Sequence, residues 1–515
     1  MLKSAAKILA LVILSTNLNV MANSAPELKA KVIRPKLHFT PPTGWMNDPN
    51  GLILFKGEYH VFYQHYPDDL KWGPMHWGHA VSHDLVNWTH LPIALEPGPE
   101  GYIFSGSIVI DDSNRSGLGT DSLPAMVALY TAHNEALKTN NNSGFESQAL
   151  AYSLDKGRTW QKYKGNPVLE RPDLRDFRDP KVSWHEPSKR WIMVVTHGSE
   201  IGFYSSENLI DWVFESTFGE GYGTHEGVWE CPDLIKIDNQ YALIVSLVPG
   251  GPNGGSGTQY FLGDFDGKQF TPAQQHQYDP KTPLWLDWGP DNYAGVTFSN
   301  VETGSPLFVG WASNWNYAQD VPATTWRSAL SLPRELFLYS EDAPKATPHN
   351  RNTYFRIGSR PSMQVASIWN ERPKGTSRSQ KQRDAELLLL PKASTHRLSL
   401  DLILRPESAA QILLSNQNNE TLLLELDMAN SEIRIDRTLS GNTTFDSRFT
   451  NAIKAQHTYG NNETSLELIY DGNIIEVYVD GGKTALTVLA FPTTMFRQVL
   501  ISDALLLDAE TQHLN

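Results

Sequence analysis

An all-β fold, a β-propeller followed by a β-sandwich, is what the sequence predicts. Three observations carry this. Short apolar runs alternate with polar residues, as in "AMVALYTAH", "RWIMVVTH" and "YALIVSLV". Turn formers are dense, with 37 glycines and 32 prolines among 515 residues, and tryptophan is abundant at 15. Nothing from 30 to 340 reads as a long amphipathic helix.

In chain order, residues 1–22 read as a secretory signal. Lys3 and Lys7 precede an apolar core too short to span a membrane, and Val20-Met21-Ala22 fits a cleavage site. Residues 30–340 read as the propeller. The stretch from Gly44 to Pro67 should be a β-hairpin opening on a sharp turn at Asp48-Pro49-Asn50-Gly51. The units "SHDLVNW" (82–88), "SLDKGRTW" (153–160) and "SSENLIDW" (205–212) repeat a Ser, an acid or amide, a turn and a Trp. They read as structural turn caps packed between strands. At roughly 60 residues per four-stranded blade the region holds five blades, although six would be tolerated. The polar, proline-bearing stretch 341–365 reads as a linker. From 366 to 515, strands such as "HRLSLDLILRP" and "TLLLELDM" between Asn, Gly and Asp turns predict a β-sandwich without a catalytic cluster.

The net charge of −14 leaves no basic footprint for nucleic acid or anionic lipid, so a neutral partner fits better. A cleaved signal implies no membrane attachment and a secreted or periplasmic protein. Cys231 is the only cysteine, so no internal disulfide can form.

Three acids stand out. Asp48 follows Trp45 and Asn47 and precedes the aromatic strand "FYQHY", which could build an aromatic, amide-lined floor for a sugar. Taken alone it is a turn residue. Asp179 follows Arg178, whose charge should hold it ionised, although the two could be a structural ion pair. Glu230 lies between Trp229 and Cys231, an apolar setting suited to a protonated acid, though a hydrogen-bonded structural acid would look the same. One ionised and one protonated carboxylate flanking a glycosidic bond is the requirement of glycoside hydrolysis, and a third can steady a cationic transition state.

In order, "WMNDPNG", "FYQHYP", "FSGS" (104–107), "FRDPK" and "WECPDL" resemble the motifs of glycoside hydrolase family 32, the invertase, levanase and inulinase family. The resemblance runs from about His38 to "YVDGG…LAFP". It implies a five-bladed propeller with a β-sandwich, no cofactor, and retaining transfer of a β-fructofuranosyl unit. By motif, Asp48 would be the nucleophile, Glu230 the acid/base and Asp179 the transition-state stabiliser. Asn47, Gln64, Trp72, Phe104, Ser105 and Arg178 match positions that line the fructose pocket, with Trp311 as an aromatic wall, and Trp45 and Asp291 are expected as further substrate-binding residues. "DWGPDNYAGVTFS", with Asp291, is similar to exo-acting levanases and inulinases and departs from the "DFYA" of invertases. The implied substrate is therefore fructan, with sucrose as a side substrate. A sucrose-specific invertase, a fructosyltransferase and a non-catalytic sugar-binding propeller are the alternatives.

Other signals are set aside. His76, His79 and His83 lack a completing carboxylate or cysteine, so no metal site is expected. "GGPNGGSG" lacks the Lys-Ser/Thr of a phosphate loop.

Overall fold

The computed structural model describes residues 32–514 except 121–122, 139–141, 274–278, 302–303, 343–352, 371–379 and 383–384. The expected signal segment lies outside the described residues. The protein is all-β, with residues from Val32 onward in one compact unit.

Residues 44–361 form five antiparallel sheets in chain order. Their first strands are Gly44–Phe55, Tyr102–Asp111, Lys181–His185, Val228–Ile237 and Tyr293–Thr297. Each first strand touches that of the next sheet, and the fifth touches the first. Between neighbouring sheets lie separate apolar cores. Phe62 and Trp77 meet Ile108 and Met126, and Val127 and Leu129 meet Met193 and Val195. Val194 and Phe203 meet Leu243 and Phe261, and Ile244 and Tyr260 meet Phe308 and Leu336. The last core, of Tyr293, Val309 and Trp311 against Trp45 and Tyr63, returns to the first sheet. A two-residue strand, Trp326–Arg327, also pairs in parallel with Gly44–Trp45 and ties the two ends of the series together.

The three Ser-acid-Trp repeats make one shared turn. Ser82, Ser153 and Ser206 bond Asp84, Asp155 and Asn208, and each tryptophan Nε1 donates to the carbonyl three residues earlier. Two expectations need correction. The expected hairpin forms from Gly44–Phe55 and Glu58–Tyr66, but Asp48-Pro49-Asn50-Gly51 lies inside its first strand, whose register breaks twice, rather than in a turn that opens it. The hairpin turn comes later, at Lys56-Gly57. The 341–365 stretch is not all linker. Thr353–Pro361 pairs along Arg334–Asp342 as the outer strand of the fifth sheet, and Met363–Asn370 is a helix. Ile357 packs into the core between the fourth and fifth sheets, which holds that strand in place despite its polar neighbours.

Beyond the helix, a seven-stranded and a five-stranded sheet pack face to face. Leu388, Ile412, Leu424 and Val499 of one meet Leu400, Leu468, Val477 and Val488 of the other. Alternate residues of Thr395–Leu404 and Thr421–Asp427 supply this core, as the period of two requires. The five-stranded sheet joins the first region through buried ions. Asp287 accepts from Arg334 at 2.7 Å and from the Thr487 hydroxyl at 2.7 Å, and Arg334 also pairs with Glu476 at 3.2 Å. His38 lies between Asp471 (2.9 Å) and Glu476 (3.4 Å).

Candidate active site

Four of the five first strands lose pairing register at one end: between Met46 and Pro49, Ile103 and Gly106, Glu230 and Asp233, and Tyr293 and Val296. A β-bulge adds a residue, bends the strand and re-aims the side chains at the break. Asp48 and Ser105 lie inside two of these breaks, and Glu230 and Tyr293 border the others. Asp179 precedes the third strand with φ +67°, and Cys231 has φ +48°. Such values are strained for residues with a Cβ. Together these ends line a cavity of about 340 Å³, at the small end of the range for ligand pockets.

Asp48, Asp179 and Glu230 all reach this cavity. Cys231 joins two of them. Its backbone N–H donates to Asp179 Oδ2 at 3.0 Å, and its thiol lies 3.5 Å from that oxygen and 3.7 Å from Asp48 Oδ2. Asp48 also accepts from Asn47 Nδ2 at 3.0 Å and from the Ser105 hydroxyl at 2.8 Å. Burial raises its pKa to about 6, against the pull of those two hydrogen bonds, and the charge of Glu230 adds to the rise.

The expectation that Arg178 holds Asp179 ionised is corrected. Burial and then the charge of Glu230 push the Asp179 carboxyl well above the usual carboxylate range, and the Arg178 charge offsets only part of this. The guanidinium turns instead to other carboxylates. It meets Glu230 Oε1 at 2.9 Å, Glu146 Oε2 at 3.1 Å and Asp176 Oδ1 at 2.7 Å. Burial opposes its charge, but the surrounding carboxylates outweigh burial and hold its pKa well above the ordinary value. The surroundings of Glu230 are correspondingly polar rather than apolar. Arg178 donates to one oxygen and the Tyr293 hydroxyl to the other.

Among the described residues no group of His, Cys, Asp and Glu is arranged to hold a metal ion. Of the histidines set aside, His79 bonds His60 at 3.0 Å, and His76 and His83 bond the carbonyls of Pro74 and Gly57. No helix among the described residues is long and apolar enough to cross a membrane.

Residues 38–347 match the N-terminal domain of glycosyl hydrolases family 32, and 364–504 match its C-terminal domain. The chain belongs to this family. It is a glycosidase. It is 41% identical over 471 residues to a levanase of Bacillus subtilis, covering 89% of this chain but 66% of that longer protein. It is 35% identical to an extracellular exo-inulinase of Aspergillus awamori, covering 90% of each. Among solved structures, the Aspergillus awamori exo-inulinase superposes with a TM-score of 0.82 at 33% identity, covering 94% of this chain and 98% of that one. A β-fructofuranosidase of Schwanniomyces occidentalis, complexed with fructosyl-erythritol, gives 0.82 at 33% identity, covering 95% and 98%.

In this family 32 chain, Asn47, Gln64, Trp72, Phe104, Ser105 and Arg178 line the cavity with the three acids. Trp45, Trp311 and Asp291 do not, and their expected place as pocket-lining residues is corrected. Trp45 is fully buried and donates from Nε1 to Asn47 Oδ1 at 2.7 Å, so it supports the floor from behind. Trp311 is fully buried at the end of its strand, while Trp315, four residues on, takes the wall. Asp291 is sealed from solvent, held by Arg437 at 2.6 Å and by Tyr317 at 2.5 Å. Tyr293, Trp315, Glu146, His133 and Asp176 were missed as lining residues. Tyr293 and Trp315 had a signal, since each lies within four residues of a residue that was chosen. Glu146 and His133 had none, because they face the site from the middle strands of the second sheet.

Proposed function

We propose that the chain is a secreted, retaining fructan β-fructosidase that releases terminal β-D-fructofuranosyl units from levan or inulin and accepts sucrose as a side substrate. The observation that carries this reading is the convergence of three carboxylates on the ends of first strands in one small cavity. The relatives support it, since they are named levanase, extracellular exo-inulinase and β-fructofuranosidase. A cavity of about 340 Å³ suits one sugar ring better than a stretch of polymer, which favours attack at chain ends. The five sheets with five cores between them are read as the blades of a propeller, and the two facing sheets as the β-sandwich, with residues 366–515 as its domain.

Asp48 acts as the nucleophile. Its carboxylate attacks the anomeric carbon of the terminal fructosyl unit, while Glu230 gives its proton to the departing glycosidic oxygen. Asp179 steadies the transition state by binding fructose hydroxyls, and Arg178 aids in binding. Water then enters, Glu230 takes its proton, and the hydroxyl attacks the same carbon as the bond to Asp48 breaks. Two inversions return the β configuration. Asn47, Gln64 and Ser105 present hydrogen-bonding groups to the sugar, and Trp72, Phe104 and Trp315 supply apolar faces.

The test is sugar release from purified levan, inulin and sucrose by the native protein and by Asp48→Ala and Glu230→Ala. Fructose as the sole product from the polymers, first formed as the β anomer by NMR, is expected. Each variant should lose at least about a thousandfold in turnover. Oligosaccharide products would mean internal attack, a first-formed α anomer would remove Asp48 as nucleophile, and transfer of fructose to sugar in preference to water would favour a fructosyltransferase.

A further inference from the structure

Arg178 stands in an awkward relation to a general acid. Its Nη2 is 2.9 Å from Glu230 Oε1, and a cation that close favours the deprotonated carboxylate. The same guanidinium, however, is claimed by two further carboxylates. Glu146, only 3% exposed, receives Nη1 at 3.1 Å, and Asp176 receives it at 2.7 Å from the lip of the cavity. Glu146 is itself fixed. The backbone N–H of Phe177 donates to its Oε2 at 2.9 Å, and His133 Nδ1 lies 3.0 Å from its Oε1. The His133 ring is stacked on Phe104 at 4.1 Å, so this chain of contacts is anchored to the cavity wall.

We propose that Glu146, with Asp176, is a positioning residue that draws the charge of Arg178 away from Glu230 and so keeps the acid/base protonated into the working pH range. The inference rests on the assignment of Glu230 as acid/base made above. The other groups around Glu230 do not replace this role. Tyr293 donates a hydrogen bond to it, which favours its charged form. Ionised Asp48 repels that charge but must stay ionised to attack, and the Asp179 carboxyl, pushed up by burial, faces the sugar. Cys231 is a buried thiol held neutral. Among the described residues, Glu146 is the buried carboxylate that meets Arg178 through Nη1, whereas Glu230 meets it through Nη2. Burial works against its charge, but Arg178, His133 and the Phe177 N–H together hold its pKa below the ordinary value.

The experiment measures kcat/KM against pH on a fructan for the native protein, Glu146→Gln and Asp176→Asn. Both variants keep an oxygen for Arg178 and remove only the charge. The alkaline limb of the native profile should move down by about half to one pH unit in each, with the acidic limb nearly still. Unmoved alkaline limbs, whatever happens to the maximal rate, would overturn the proposal and leave Glu146 a structural ion-pair partner. If Glu146→Gln does not fold, Asp176→Asn, at the solvent edge, decides alone. A control separates this outcome from failure of the underlying assignment. Glu230→Ala, assayed with fructosyl fluoride, whose leaving group needs no proton, should show no alkaline limb. A limb persisting there would count against Glu230 as the acid, not against Glu146.

Discussion

Asp48 is buried at a cost to its own charge. Its pKa of about 6 in the folded chain, against 3.8 unperturbed, means that the folded state binds its proton more tightly than the unfolded state. Ionised Asp48 therefore destabilises the fold above about pH 6, by on the order of 2–3 kcal/mol, and the penalty vanishes below about pH 4. Asp48→Asn should be inactive yet melt higher than the native protein at pH 7–8 and together with it near pH 4. Calorimetry at the two pH values checks this, and a lower melting temperature at pH 8 would contradict it. The same value sets the acidic limb of activity, which should rise as pH passes up through about 6. Cys231→Ser gives a finer check. A hydroxyl donates a stronger hydrogen bond than a thiol to Asp48 and Asp179, so the acidic limb should move down by roughly half a pH unit. An upward move would show that the thiol does not act on these carboxylates.

At the level of strands and turns, much was legible because period and turn chemistry are local. The three Ser-acid-Trp units could be read as turn caps because every partner lies within a few residues. In the first of them Asp84 accepts from Ser82, the Val86 and Asn87 backbone N–H groups and the Asn87 side chain. Asp84→Ala should cost about 1–2 kcal/mol of stability in denaturant titration while leaving kcat on fructan unchanged. What failed to read was which neighbour faces the cavity. A bulge shifts the side-chain alternation by one residue, and nothing in the alternation announces it. Trp315 lies in the turns that follow the strand Leu307–Trp311, and Asp291 just before the strand Tyr293–Thr297, where no strand alternation says which residue faces the cavity. The strand 353–361 reads as linker in the sequence because its only apolar residues are Tyr354, Phe355 and Ile357, among Arg356, Gly358, Ser359 and Arg360. The three acids themselves were legible by motif. The partner of Arg178 was not, since Glu146 lies 32 positions away and meets it only after the second and third sheets dock.

Across the whole molecule, the sandwich is bound to the catalytic region by buried charge. Arg437 donates to Asp291 at 2.6 Å and to the Tyr317 hydroxyl at 2.8 Å, with its guanidinium 3.7 Å over the Phe449 ring. Removing one member of such a buried group strands the others, so Arg437→Met should destabilise by about 3–5 kcal/mol. It should also lower kcat/KM, because Asp291 and Tyr317 each stand two residues from a cavity-lining residue, Tyr293 and Trp315. Equal stability with full activity would refute this. The His38 cluster gives a pH signature. Burial works against the His38 charge, but Asp471 and Glu476 outweigh it and raise its pKa to about 9 from 6.5, so its contribution is complete below about 6.5 and is lost as pH rises through 9. Burial works against the Glu476 charge, but Arg334 and His38 lower its pKa to about 2 from 4.5, so its contribution holds above about 4.5 and fades only as pH falls through 2. The melting temperature should peak between about pH 4.5 and 6.5 and fall toward pH 9, with a shallower alkaline fall in His38→Gln. The short parallel strand Trp326–Arg327, lying against Gly44–Trp45, bears on how the enzyme comes into being. Synthesis delivers residue 44 long before residue 327, so the first sheet waits with an open edge beside Asp48 while the rest of the chain is made. A nascent chain halted near residue 290 already carries all three acids but lacks Tyr293, Trp315 and the strand that closes the series. Such a fragment should be inert, and hydrolysis should begin only once the last sheet has emerged, as a single late event in the life of each molecule.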